Sequence, residues 1–138
     1  MEFIVAMLSL VTWTVIVWWA LLLTRLSEIK VKKLFPHQLN TPEEARELLS
    51  LRQHMIARNF SNLTELPVLF YALATISFLL EVDSQFLVAL AWGFVATRIA
   101  HTLIHTGYNN VLHRFYAYFS GGLILSVWVL SLFAMYIL

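Results

Sequence analysis

An all-α integral membrane protein, a bundle of four transmembrane helices, is the fold that this 138-residue sequence predicts, and three observations predict it. Hydrophobic residues make up 60% of the chain and charged residues 12%, more apolar side chain than one soluble core of this size hides. The apolar residues gather in four runs, each reaching the about 20 residues that a helix needs to cross the hydrocarbon. The charges gather outside them, with six of the nine Lys and Arg residues (Arg25, Lys30, Lys32, Lys33, Arg46 and Arg52) in a single connection. No repeat, linker or low-complexity tract divides the chain, so residues 1–138 read as one domain.

The first run covers roughly residues 3–24 and carries Trp13, Trp18 and Trp19 but no charge. Its length, and Glu2 where a secretory leader carries basic residues, predict a retained helix; the tryptophans read as interface anchors and packing. The second run covers roughly 54–80. Ahead of it, "TPEEARELL" is a helix start, with Thr41 as N-cap, Pro42 at the first position and acids in the first turn, so the second helix should begin early and project from the membrane. The third run covers roughly 85–106 and follows a turn holding only Glu81 and Asp83. The fourth covers roughly 114–138, where Gly121-Gly122 marks close helix packing. The positive-inside rule places the first connection and the 107–113 turn in the cytoplasm, and both termini on the opposite side.

The polar residues inside these runs are few and ordered. In "RNFSNLTELP", Arg58, Asn62 and Glu65 fall at i, i+4 and i+7, on one face of a helix. Arg98, His101 and His105 fall at i, i+3 and i+7 of the third run, and Arg114 opens the fourth with Tyr118 one turn on. A lipid-facing charge costs on the order of 2.5 to 3.5 kcal/mol, so these groups should turn toward other helices or a wet cavity, all in the cytoplasmic half. Simple structural roles stay open for each: Glu65 and Arg98 as an interhelical clasp, Arg114 as a headgroup anchor. The spacing of His101 and His105 suits a metal, but only His113 and Glu65 stand near enough to add ligands, so no metal site is expected. The sequons at Asn59 and Asn62 lie on the side that glycosylation does not reach. There is no basic block for nucleic acid, no cysteine for disulfides or thiolates, and no polar path through all depths for a channel.

The order R-x-x-x-N-x-x-E-x-P in "RNFSNLTELP", followed by "RIAHTLIHTGYNNVLHR", resembles the second- and third-helix signatures of the MAPEG family, membrane-associated proteins in eicosanoid and glutathione metabolism that include the microsomal glutathione transferases and prostaglandin E synthase. The resemblance covers nearly the whole chain. It implies a homotrimer that binds glutathione between subunits near the cytoplasmic face, with a lipophilic small-molecule substrate arriving from the membrane lipid. By position it implies that Arg58, Asn62, Glu65, Arg98, His101, His105 and Tyr118 contact glutathione, and that Arg114 is the catalytic arginine that stabilises its thiolate. One of Lys30, Lys32 and Lys33 would reach the ligand of an adjacent subunit. Leu66 after the glutamate and His105 in place of the commoner tyrosine depart from the pattern.

The chemistry suits the residues. Glutathione carries two carboxylates and an ammonium, which ask for guanidinium donors and an acid. A thiol of pKa about 8.5 is mostly protonated at neutral pH, and an arginine stabilises the anion without giving up its own proton. The expected activity is therefore thiolate attack on a lipophilic electrophile, or reduction of a lipid hydroperoxide. The alternative implied by the same family is a non-catalytic lipid-binding or scaffold protein resembling 5-lipoxygenase-activating protein.

Overall fold

A computed structural model describes residues 1–136; Ile137 and Leu138, the end of the expected fourth run, lie outside the described residues. Six α-helices follow one another: α1 (Glu2–Lys32), α2 (Pro42–Leu48), α3 (Leu51–Glu65), α4 (Pro67–Leu79), α5 (Gln85–Thr106) and α6 (Val111–Tyr136), with a 3-10 turn at Pro36–Leu39. Read with α3 and α4 as one crossing, four helices among the described residues are long and apolar enough to span a membrane. The chain is an all-α membrane bundle, as its composition predicts. The central helix is α5, which packs on α1, α3, α4 and, most extensively, α6.

The first helix outruns its apolar segment. Its 31 residues span about 46 Å at about 1.5 Å per residue, against a hydrocarbon thickness of about 30 Å. The excess is the charged end from Arg25 on, which stays helical because its residues are helix formers and because Glu28 and Lys32 pair at 3.4 Å across one turn. The helix stops at Lys33, whose φ of 53° lets the Leu34 amide donate to the Ile29 carbonyl at 3.0 Å.

The second crossing is broken where the sequence alone reads it as continuous. Pro67 has no amide hydrogen to donate to the Leu63 carbonyl, so α3 ends at Glu65 and α4 begins one residue past Leu66. Leu66 keeps helical angles (φ −61°, ψ −36°), and the crossing continues past the break. Ahead of it, Thr41 caps α2 as its sequence predicts, in a reciprocal capping box with Glu44. Ser50 caps α3 by accepting from the Gln53 amide, and Glu28 of α1 accepts in turn from the Ser50 amide at 2.8 Å and from its hydroxyl.

The bundle has an apolar half and a polar half. In the apolar half, away from the α1–α2 connection, Phe70 stacks on Phe94 at 4.9 Å, and Trp128 packs against Phe70 at 6.0 Å and Phe3 at 5.7 Å. Trp128 is fully buried, and its indole nitrogen donates to Ser77 Oγ at 3.0 Å. In the polar half, Thr102 Oγ1 accepts from Trp13 of α1 and from the Asn59 amide of α3, both at 3.2 Å, joining three helices at one hydroxyl. Asn59 is fully buried there, which closes its sequon to a sugar. Hydroxyls elsewhere on the helices, such as Ser126 and Ser131, turn back onto carbonyls four residues earlier, which satisfies them where water is absent.

Trp128→Ala should lower the unfolding free energy in mild detergent by about 3–5 kcal/mol, the range for truncating a fully buried aromatic side chain. Equilibrium unfolding followed by circular dichroism measures it.

Candidate functional site

Arg98 is the deepest charge in the structure. It lies eight residues before the end of α5 and is 1% exposed, wedged between α5 and α6. Its Nη2 donates to the carbonyls of Ala117 (2.8 Å) and Tyr118 (3.2 Å), and its guanidinium lies 5.2 Å from the Phe94 ring centre and 5.3 Å from that of Tyr118. Gly121 makes the fit possible. A Cβ there would fall 3.0 Å from Arg98 Cζ and 3.1 Å from Thr97 Oγ1, whereas one at Gly122 would meet nothing within 4 Å. Of the expected pair of packing glycines, only Gly121 seats a neighbour. No carboxylate pairs with Arg98, since Lys32–Glu28 is the one ion pair among the described residues, and the clasp with Glu65 that the sequence left open is not formed within the chain. Its Nη1 has no hydrogen-bond partner.

One turn further along α5, His101 is also buried. Its Nδ1 lies 3.2 Å from the Arg114 carbonyl, and its Nε2 lies 3.3 Å from the Asn62 amide nitrogen. A carbonyl only accepts and an amide N–H donates, so the network assigns the proton to Nδ1 and leaves Nε2 as acceptor. The side chain of Arg114 is held separately, by Nη1 donating to Asn109 Oδ1 at 2.7 Å. Asn109 sits in the α5–α6 turn at φ 51°, a left-handed conformation that asparagine tolerates better than most residues. Arg114 is thus fixed twice, at its backbone by His101 and at its guanidinium by Asn109. His105, on the next turn, is buried with neither ring nitrogen bonded, its ring edge-on to His101 at 5.5 Å.

Two cavities open on either side of Arg114. One of ≈ 380 Å³ is lined by Arg46, Arg58, His54, His105, Asn109 and Arg114, with no carboxylate. The other, of ≈ 290 Å³, is lined by Asn62, His101 and Arg114 together with Val111, Phe115 and Tyr118, a more aromatic wall. Arg114 lines both. The sequence-predicted residues Arg58, His105 and Arg114 meet in the first cavity, and Asn62, His101, Arg114 and Tyr118 in the second. Arg98 and Glu65 line neither: Arg98 is sealed beneath Tyr118, and Glu65 is exposed on the outside of the bundle. Of the three lysines at the end of α1, Lys32 is engaged within the chain, donating to the Leu48 carbonyl at 2.7 Å.

Arg46, His54 and Asn109 belong to this site and escape a reading by helical stripe. They come from α2, the start of α3 and a turn, whose approach to α5 and α6 only the folded chain reveals. The "GYNN" turn one helical step before Arg114 was the available signal for Asn109.

A model of the MAPEG family matches residues 3–134 of the chain. No curated protein and no solved structure matches it.

Gly121→Ala should destabilise the fold by about 1–3 kcal/mol by pushing the Arg98 guanidinium off its carbonyls, while Gly122→Ala should change stability by less than about 0.5 kcal/mol. Paired thermal unfolding of the two variants distinguishes them.

Proposed function

Since the chain belongs to the MAPEG family, whose model matches residues 3–134, we propose that it is a glutathione-dependent membrane transferase or peroxidase acting on lipophilic electrophiles or lipid hydroperoxides. The observation that carries this reading is the position of Arg114, fixed at both ends on the wall between a cationic cavity and an aromatic one. A peptide with carboxylates fits the first cavity and a lipophile the second, with the arginine where they meet. The donor set also fits glutathione: guanidinium groups for its carboxylates, and two unfilled buried polar atoms at the His105 nitrogens on the wall of the first cavity.

Glutathione, as the thiol substrate, supplies the sulfur nucleophile. Arg114 holds the sulfur as its anion, keeping its own proton throughout. In transfer, the sulfur bonds to the electrophilic carbon and the leaving group departs with its electron pair; in peroxide reduction, two glutathiones convert one hydroperoxide to an alcohol and water and become the disulfide. Arg58 is the cationic donor for the tripeptide, with Asn62, His101, His105 and Tyr118 as polar contacts, while Arg98, sealed below both cavities, supports the Tyr118 ring from beneath. His101 also positions Arg114 through its carbonyl. Rigid support of this kind is what a near-attack geometry requires.

A homotrimer accounts for Glu65. It lines neither cavity and is exposed on the isolated bundle, within a crossing flanked by apolar residues, where a charge facing lipid costs on the order of 2.5 to 3.5 kcal/mol. A neighbouring subunit covering that face removes the cost, and Glu65 then meets the ligand's ammonium at the subunit boundary. The site opens to the cytoplasm, where the basic connection lies, and the termini lie opposite. A non-catalytic lipid-binding role is the second reading, and it is favoured by a ≈ 590 Å³ groove between α4 and α6 lined almost wholly by apolar side chains, including Leu66, Leu69, Leu125 and Leu130.

Arg114→Ala should fold and assemble as the parent does but lose about 10²–10³-fold in kcat for conjugating glutathione to a lipophilic electrophile, the loss typical of removing one anion-stabilising donor. Asn109→Gly, which keeps the left-handed turn while freeing the guanidinium, should fall between the two. Steady-state kinetics in detergent checks both, and full activity in Arg114→Ala would overturn the assignment.

A further inference from the structure

Helix α2 has seven residues, too few to be stable by itself, yet four contacts pin it to the bundle. Lys32 donates to the Leu48 carbonyl at 2.7 Å, Leu49 is buried, and Glu28 holds Ser50 just beyond. The fourth contact is His54 of α3. Its Nε2 lies 3.1 Å from the Arg46 carbonyl and 3.2 Å from that of Leu49, so the proton sits on Nε2 and is shared between two carbonyls that the helix end leaves unpaired. Every one of these contacts falls in the C-terminal half of α2 or just after it. They fix the backbone of Arg46 at the rim of the polar site.

The Arg46 side chain lines two adjoining cavities, the ≈ 380 Å³ space shared with Arg58, His105 and Arg114, and a ≈ 220 Å³ space shared with Glu43, His54 and Arg58. It is exposed and forms no ion pair, although Glu43 stands on the same rim. With Arg114 engaged at the sulfur and Arg98 sealed below, a carboxylate arriving from the water side meets Arg46 and Arg58 first. We propose that Arg46, carried on α2, is a further ligand-binding residue that takes a carboxylate of the thiol substrate, and that His54 is the positioning residue that holds it over the cavity. The inference rests on the reading of this site as one for glutathione, and it names a contact from a segment outside the membrane-spanning helices.

The test compares equilibrium binding of glutathione and of its diethyl ester, in which both carboxylates are masked, to the full chain in detergent. The parent should prefer glutathione. Arg46→Ala should weaken glutathione about 10-fold, the range of a lost charge-assisted contact, and leave the ester within about twofold of the parent; Arg46→Lys should restore part of the loss. His54→Ala should weaken glutathione similarly, and the double variant should be no weaker than Arg46→Ala, because both substitutions remove one contact. Unchanged glutathione affinity in Arg46→Ala, an equal loss for the ester, or additive losses in the double variant would each overturn the proposal while leaving the glutathione site itself intact. A parent that binds neither compound would instead remove the glutathione reading on which the proposal stands.

Discussion

A guanidinium with no acidic partner, buried inside a membrane bundle, sets the terms for everything around it. Arg98 cannot shed its proton and cannot reach water, so the fold must supply dipoles and rings. Two carbonyls of α6 and the faces of Phe94 and Tyr118 do this, and they do it only if α6 approaches α5 closely enough for the guanidinium to touch its backbone. Gly121 is the residue that permits the approach. The tight α5–α6 pairing then fixes the register of His101 against Arg114 one turn nearer the α5–α6 connection, and the short turn between the helices delivers Asn109 to the Arg114 side chain. The geometry of the proposed thiolate arginine thus follows from how a deeper arginine is accommodated.

The two halves of the bundle are held by different forces. Lipid tails are as apolar as leucine, so the hydrophobic effect does little to join helices within the membrane, and close packing takes its place. The cluster of Phe3, Phe70, Phe94 and Trp128 supplies that packing in the apolar half. In the polar half the helices meet through hydrogen bonds that converge on single atoms, as at Thr102, which leaves room between them for two cavities. The two halves meet at Phe94, which stacks on Phe70 on one side and takes the Arg98 guanidinium on the other.

Much of this was legible in the sequence. Four apolar runs gave the crossings, because length and hydropathy are local properties, and the spacing of Arg98, His101 and His105 gave one face of α5, where all three are buried. The stripe of Arg58, Asn62 and Glu65 was less uniform in outcome. Asn62 turns to His101, while Arg58 and Glu65 are exposed, since the stripe lies beside the buried face of Gln53, Ile56, Asn59 and Leu63 and Asn62 is its nearest member to that face. The extent of α1 was hidden because its last turns lie beyond the hydrocarbon and so carry no apolar signal. The break at Pro67 was hidden because the apolar run continues through the proline; the crossing holds together past it because α3 and α4 both pack on α1. Arg46 and His54 were invisible for a plainer reason: what brings them to the site is a set of contacts among three segments with no shared period.

The chain is a MAPEG-family membrane protein, and the proposal that it activates glutathione rests on one arginine between two cavities. The measurement that reaches this most directly is ultraviolet difference absorption during titration of the detergent-purified protein with glutathione, comparing the parent with Arg114→Ala. A thiolate band that saturates with the parent and vanishes in the variant, while the variant still binds glutathione, is the expected result. Glutathione binding with no thiolate band in the parent, or a band of equal size in both proteins, would contradict it.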